Sequence, residues 1–295
     1  MSQSRDYWVG VALTGLGAVV LSPDALLIRM LGADLWTAAF WRLLLMCAAI
    51  SAFLLVFRGR KLRADVQAIG WALLPAALAM TVCNLGFLYA LTHTTVADTL
   101  ALIATAPVFA AFFGMAIGET PPFRTWLAAG AIAVGIWIIL DASLDAGTWE
   151  GALAAGSVAV AVAIFFTLGR VRRGADFTAT LALSAAISAV IAAAMADTLR
   201  PEPGDWPYLC LMGLVVSPVA LTLIALGPRR LPAAEVSLLM LLETALGPLW
   251  VWLALGETPG RATLLGGGLI LGALTAHGLA AWRNDRKRRA AVRLG

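Results

Sequence analysis

Apolar residues run through this chain in ten successive stretches, each near the length of about 20 residues that an α-helix needs to cross a bilayer. They cover 7–30, 34–57, 67–92, 95–117, 123–141, 149–170, 177–198, 206–228, 232–256 and 260–282. Such a pattern leaves few folds open. Hydrocarbon offers the backbone no hydrogen-bond partner, so a spanning segment is a helix or a strand of a closed barrel. The stretches are too long for barrel strands and lack their period-two alternation, so helices are expected. The connectors hold the glycines, prolines and charges, as in Arg200-Pro201-Glu202-Pro203-Gly204-Asp205.

Composition agrees. Of 295 residues, 61% are hydrophobic and 13% charged, whereas a soluble domain carries about 25% charged residues. Ten spans use most of the chain, and no soluble domain fits in what remains. Cys47, Cys83 and Cys210 all fall inside apolar stretches and form no C-x-x-C pair, so neither a disulfide framework nor a zinc site is expected. The first stretch is too long for a signal-peptide core and no A-x-A-like site follows it. It reads as a retained helix.

The net charge of +4 is distributed as a topology signal rather than as a nucleic-acid surface. No aromatic residues interleave with the runs Arg58-Gly59-Arg60-Lys61-Leu62-Arg63 and Arg286-Lys287-Arg288-Arg289, and no nucleic-acid partner is expected. With the N-terminus inside, seventeen of the 21 Lys and Arg residues fall on cytoplasmic stretches; Arg29, Arg200 and Arg261 fall outside, and Arg42 lies within a span. The positive-inside rule therefore puts both ends in the cytoplasm. Trp8, Trp36, Trp71, Trp126, Trp149, Trp206 and Trp282 stand at helix ends, where amphipathic rings favour the headgroup region. Trp41, Trp137, Trp250 and Trp252 lie deeper and are expected to need packing or a cavity.

The chain repeats itself. Gly118-Glu119-Thr120-Pro121 recurs as Gly256-Glu257-Thr258-Pro259, an offset of 138 residues. Leu100 and Leu238, Thr125 and Thr263, and Gly130 and Gly268 match at the same offset. Two halves of five helices follow, 1–144 and 145–295, and because five is odd the second is inverted relative to the first. The expected fold is all-α and integral to the membrane, with ten transmembrane helices in two inverted repeats. That is the architecture of alternating-access carriers, whose sites lie near the midplane where the halves meet.

These features resemble the drug/metabolite transporter superfamily of EamA type. The resemblance rests on the Gly-Glu pair closing the fourth and ninth helices and on the proline-led run from Pro107 to Glu119. Ser22-Pro23-Asp24 through Arg29, followed by Phe40-Trp41-Arg42, also resembles the start of such chains. Within the superfamily the chain is similar to bacterial amino-acid exporters, and the resemblance implies that helices three, four, eight and nine line the substrate site. It implies multi-pass insertion in the inner (cytoplasmic) membrane. One departure stands out: the ninth helix reads Leu242-Glu243-Thr244, with its proline only at Pro248, where relatives commonly have Glu-Pro. The helix break expected there is displaced.

An ionisable residue within a span is costly and so marks a functional candidate. Glu243 lies about 16 Å into its helix at 1.5 Å per residue, near the midplane, and is read as an acceptor for a substrate ammonium, a carrier of a coupling proton, or a buried structural carboxyl. Asp24 and Arg42 share a depth that permits a salt bridge, either a structural pair or an outer gate. Pro23 beside them would break the helix and free a carbonyl. Further substrate-site candidates are Thr81 and Asn84 on the third helix, Thr105 and Pro107 on the fourth, Ser217 and Thr222 on the eighth, and Ser237 and Met240 on the ninth. For each of them taken singly, interhelical bonding is the commoner role. Phe165, Phe166, Met240 and Trp250 are candidates for an apolar wall. The glycines of the tenth helix, Gly266, Gly267, Gly268 and Gly272, suit close packing within the bundle or a homodimer face through helices five and ten; a monomer is equally compatible.

A cofactor is not expected. An intramembrane lipid-modifying enzyme would need clustered acids, metal ligands or a nucleophile with its base, and no DDxxD, HExxH or histidine cluster occurs. A channel would show rings of like charge. Phosphorylated cargo would call for mid-depth Lys or Arg, and Arg42 sits in the outer third. The expected cargo is a neutral or zwitterionic metabolite, amino acids first, with drugs and nucleosides as alternatives.

Overall fold

The computed structural model describes residues 2–118, 123–172, 175–226 and 233–294, and these are mostly helical with no strand among them. Glu119, Thr120 and Pro121 of the first repeated motif lie outside the described residues, as do Arg173, Arg229, Arg230 and Pro232. The side chains of Arg5, Arg124, Ser237, Trp282 and the basic tail lie outside them too.

Fourteen α-helices follow in order: α1 (Ser2–Leu21), α2 (Asp24–Arg29), α3 (Leu35–Phe53), α4 (Gly59–Ile69), α5 (Leu73–His93), α6 (Val96–Ile103), α7 (Ala106–Ala116), α8 (Phe123–Asp145), α9 (Trp149–Val171), α10 (Thr178–Met195), α11 (Trp206–Cys210), α12 (Ser217–Leu226), α13 (Ala233–Leu255) and α14 (Arg261–Leu294). Among the described residues, eight helical stretches are long and apolar enough to cross a membrane, from Tyr7–Arg29 to Pro203–Leu226. The apolar part of α13, Leu239–Leu255, is shorter. The chain is therefore a multi-pass membrane protein.

Several expected spans are interrupted, and proline chemistry accounts for it. The first breaks at Ser22-Pro23. Pro23 has no N–H to give the Val19 carbonyl, and the Ser22 hydroxyl donates to that oxygen instead at 2.8 Å. The fourth breaks at Ala104–Thr105, between α6 and α7, and Pro107 then sits in the first turn of α7, where a missing N–H costs nothing. The eighth passes from α11 through a π-helical stretch, Leu211–Val216, before Ser217-Pro218 opens α12. The ninth stays continuous through Glu243, with Pro248 inside α13. The tenth runs on for 34 residues, about 50 Å, so the segment expected to end at 282 continues through most of the tail.

The helices pack in a definite scheme. The largest contacts join α5 to α9, α3 to α10, α8 to α14 and α1 to α12, with α10 also on α5, α7 on α9 and α13 on α1. Main-chain contact is close where α8 meets α14. A Cβ on Gly135 would stand 2.7 Å from the Gly266 carbonyl oxygen, and one on Gly266 would stand 2.6 Å from that of Gly135. Gly266 thus serves this internal contact, while Gly268 and Gly272 have open space beside them. Trp137 and Trp252, expected to need packing or a cavity, are 69% and 50% exposed on the surface of the bundle, where acyl chains are the natural neighbours.

Polar ties gather at the two ends. At one end Arg58 pairs with Asp65 at 3.2 Å and with Asp176, and the Arg172 guanidinium lies over the Trp71 ring. At the other, Gly32 N–H donates to Asp205 at 2.9 Å, the Thr37 hydroxyl to the Thr198 carbonyl and the Trp41 indole N–H to the Leu199 carbonyl at 2.8 Å. Asp34 caps α3 there through the Trp36 and Thr37 amides. Burial pushes its carboxyl up, but those bonds outweigh it and hold the group below the usual carboxylate range.

Candidate functional site

The break between α1 and α2 puts Asp24 at the first position of α2, where an acidic group suits the helix N-terminus. Asp24 is 2% exposed and Arg42 of α3 is 5% exposed. Arg42 Nη2 donates to Asp24 Oδ2 at 2.6 Å and to Ser217 Oγ at 3.1 Å. Ser217 Oγ in turn donates to Asp24 Oδ1 at 3.3 Å. The three side chains come from α2, α3 and α12 and form a closed ring of hydrogen bonds.

Local chemistry brings Ser217 there. The π-helical stretch before it brings α12 against α3 through Gly213, where a Cβ would stand 2.7 Å from both the Arg42 carbonyl oxygen and Leu45 Cβ. Only glycine permits that approach. Arg42 Nε is enclosed without a partner, and Nη2 carries both bonds of the ring.

Glu243 approaches the same region from α13. Leu239, Glu243, Gly247 and Trp250, spaced 4, 4 and 3 residues apart, form one helical stripe. Three members touch the first span. Leu239 lies 3.8 Å from the Cβ position of Gly15, the Cβ position of Gly247 falls against Leu100 Cδ1 of α6 and 3.8 Å from the Ser22 carbonyl oxygen, and the Trp250 indole N–H donates to Ser22 Oγ at 2.9 Å. Glu243 lies between them and so faces α1 near its break. It is half-buried and has no hydrogen-bond or ion-pair partner among the described residues. On α1, Thr14 is fully buried and its hydroxyl is also without a partner.

The other expected site residues divide by interface. Thr81 and Asn84 are buried on α5 against α10. Thr81 donates to the Ala77 carbonyl at 2.9 Å, and Asn84 Nδ2 donates to Ser188 Oγ at 3.3 Å. Thr105 is buried at the α6–α7 break and donates to the Leu102 carbonyl at 2.6 Å; Pro107 is half-buried beside it. Thr222 on α12 and Met240 on α13 are half-buried, and the side chain of Ser237 lies outside the described set. Asp24, Arg42, Ser217 and Glu243 therefore come together, while Thr81 and Asn84 sit at a separate contact.

Sequence reasoning missed a second cluster. Arg29 at the end of α2 donates to the Thr94 carbonyl at 2.6 Å and lies 3.6 Å from Glu257, which accepts the Val96 N–H at 3.2 Å. Next to it the Thr263 hydroxyl donates to Asp98 at 2.6 Å. One end of the first span is thereby tied to the α5–α6 and α13–α14 connectors. The available signals were the lone basic residue ending the first span and the carboxylate of the second Gly-Glu-Thr-Pro copy.

The EamA-like transporter family model matches this sequence twice, over residues 8–141 and 149–276. An uncharacterized transporter of Archaeoglobus fulgidus is 25% identical over 276 residues, which cover 93% of this chain and 96% of that one. A protein of known crystal structure superposes with a TM-score of 0.66 at 21% identity, over 95% of this chain and 99% of its own; that likeness bears on the fold alone.

Proposed function

Because the chain belongs to the EamA-like transporter family, we propose that it is a ten-span secondary carrier that exports small amine-bearing metabolites, amino acids among them, by alternating access. Its halves are residues 1–144 and 145–295, inverted relative to each other, with both ends in the cytoplasm and the spans in the cytoplasmic membrane. The spans are α1 with α2, α3, α5, α6 with α7, α8, α9, α10, α11 with α12, α13 and α14.

The observation that carries this reading is the packing scheme. Exchanging each span with the one five later turns the α5–α9 contact into the α12–α1 contact and the α7–α9 contact into the α13–α1 contact. The α3–α10 and α8–α14 contacts map onto themselves. A pseudo-two-fold axis relating two five-helix halves produces that exchange, and it supports halves that rock about a shared site. The Asp24–Arg42–Ser217 ring, with Glu243 beside it, lies at such a junction, since its members come from both halves. In this reading Glu243 receives the ammonium of the solute or a coupling proton, and the Asp24–Arg42 pair holds the first span to α3 on the outer side of the site. Ser237, Met240, Thr105, Pro107 and Thr222 are lining candidates, and Thr81 and Asn84 hold the adjoining α5–α10 wall. The open Gly268–Gly272 face of α14 is where a second copy would pack if the carrier pairs.

The test is exchange of a radiolabelled amino-acid panel across liposomes carrying the purified protein, with impermeant labelling of both termini in cells. Exchange that Glu243→Gln abolishes, with both termini protected from outside, is expected. Termini on opposite faces would refute the inverted halves. Exchange at the rate of empty liposomes across the panel would refute amino-acid transport.

A further inference from the structure

Resting on the amine-carrier reading of this site, we infer that its preferred cargo is a cationic amine without a carboxylate, so that within the amine class the decarboxylated compound is favoured over the amino acid.

The inference comes from which charges are already occupied. Binding a zwitterion takes an acceptor for its ammonium and a cationic donor for its carboxylate. The acceptor is available: Glu243 faces the first span between Leu239 and Gly247, is half-buried and has no partner among the described residues. The donor is not. Arg42 is the one Lys or Arg that the sequence places in the interior of a span, and its charge is matched by Asp24 at 2.6 Å, with Ser217 closing the ring. Its Nε–H is enclosed, so a solute carboxylate would meet a guanidinium whose charge is already compensated, and could take the Nη2 face only by displacing Asp24 from a contact that is nearly fully buried. Such a displacement leaves a buried carboxylate unpaired, which is strongly unfavourable.

The summed charge points the same way. Asp24 and Arg42 cancel, and an ionised Glu243 leaves the cluster with one negative charge. An amine cation neutralises the cluster, whereas a zwitterion brings a second carboxylate within reach of Glu243 and Asp24. Like charges in a weakly screened interior repel strongly.

The test uses pairs of compounds that differ only by the α-carboxylate: phenethylamine and phenylalanine, isoamylamine and leucine, cadaverine and lysine. Displaceable binding of each tritiated compound to the purified full chain in detergent is measured by scintillation proximity, which removes passive permeation of the amines from the readout. For each pair that binds, the amine is expected to bind at least tenfold more tightly. Glu243→Gln is expected to abolish amine binding and Glu243→Asp to retain part of it, with size-exclusion profiles confirming that both variants fold. Equal or tighter binding of the amino acid in any pair overturns this inference and leaves the amine carrier standing. Displaceable binding of no compound in any pair overturns both.

Discussion

Replacing Asp24 alone, Arg42 alone and both together tests whether the ring at the first helix break is held by mutual charge compensation. In the single variant Asp24→Leu, the Arg42 guanidinium stays in a site where it is 5% exposed, with only Ser217 as a partner at 3.1 Å. Leaving one member of a buried pair uncompensated costs about 3–5 kcal/mol. At 1.4 kcal/mol per factor of ten, that lowers the folding equilibrium constant by roughly two to three and a half decades. Arg42→Met is expected to fall in the same range, since it leaves Asp24 2% exposed with one hydroxyl donor. The double variant Asp24→Leu/Arg42→Met removes both charges and fills the space with apolar atoms, an exchange that is often neutral or favourable. Its stability is expected to lie within about 1 kcal/mol of the unaltered protein, so the cycle yields a coupling energy of several kcal/mol. Reversible unfolding in mixed micelles of increasing denaturing-detergent fraction, followed by tryptophan fluorescence, measures all four proteins. Additive losses, with the double variant as unstable as the sum of the singles, would refute charge compensation as what holds Asp24 and Arg42 in place.

Two further outcomes concern the end of the bundle where the first span meets the α13–α14 connector. Arg29 and Glu257 each have 28% exposed side chains, so their ion pair is worth at most about 1 kcal/mol. Glu257→Gln is therefore expected to raise modification of a Ser22→Cys probe by impermeant maleimide up to about fivefold, with Cys47, Cys83 and Cys210 replaced by alanine; an unchanged rate counts against this tie as a latch. At α3, Asp34→Ala removes the N-cap and is expected to cost about 1 kcal/mol. The Asp34 carboxyl is held below its ordinary value of 3.8, so its contribution is complete above that pH and fades as pH falls through the depressed value. A pH titration of stability that shows no difference between Asp34→Ala and the unaltered protein above pH 5 contradicts the capping role.

Much of this protein was legible in the order of its residues. Hydrocarbon forces the backbone to satisfy its own hydrogen bonds, so runs such as 34–57 and 149–170 had to be helices, and the structure has α3 and α9 there. Asp24 and Arg42 were readable as partners because two lone charges at one depth in adjacent spans relieve each other's burial. Proline gave only part of its meaning away. Pro23 and Pro107 mark breaks, whereas Pro248 lies inside a continuous α13, because a proline's missing N–H ends a helix only where the neighbouring chain satisfies the freed carbonyl differently. Ser22 does so for Val19.

What tertiary structure decided is which polar groups are already engaged. Thr81, Asn84 and Ser217 look alike in sequence, as small polar residues in apolar runs. Two of them face α10 and the third closes the Asp24–Arg42 ring, because the π-helical stretch before Ser217 and the bare backbone of Gly213 set the rotation of α12 against α3. Glu243 was visible as a costly charge, but its lack of a partner among the described residues depends on the stripe from Leu239 to Trp250 meeting the first span. Helical rotation and interhelical distance are collective results of packing, and no local run of residues encodes them.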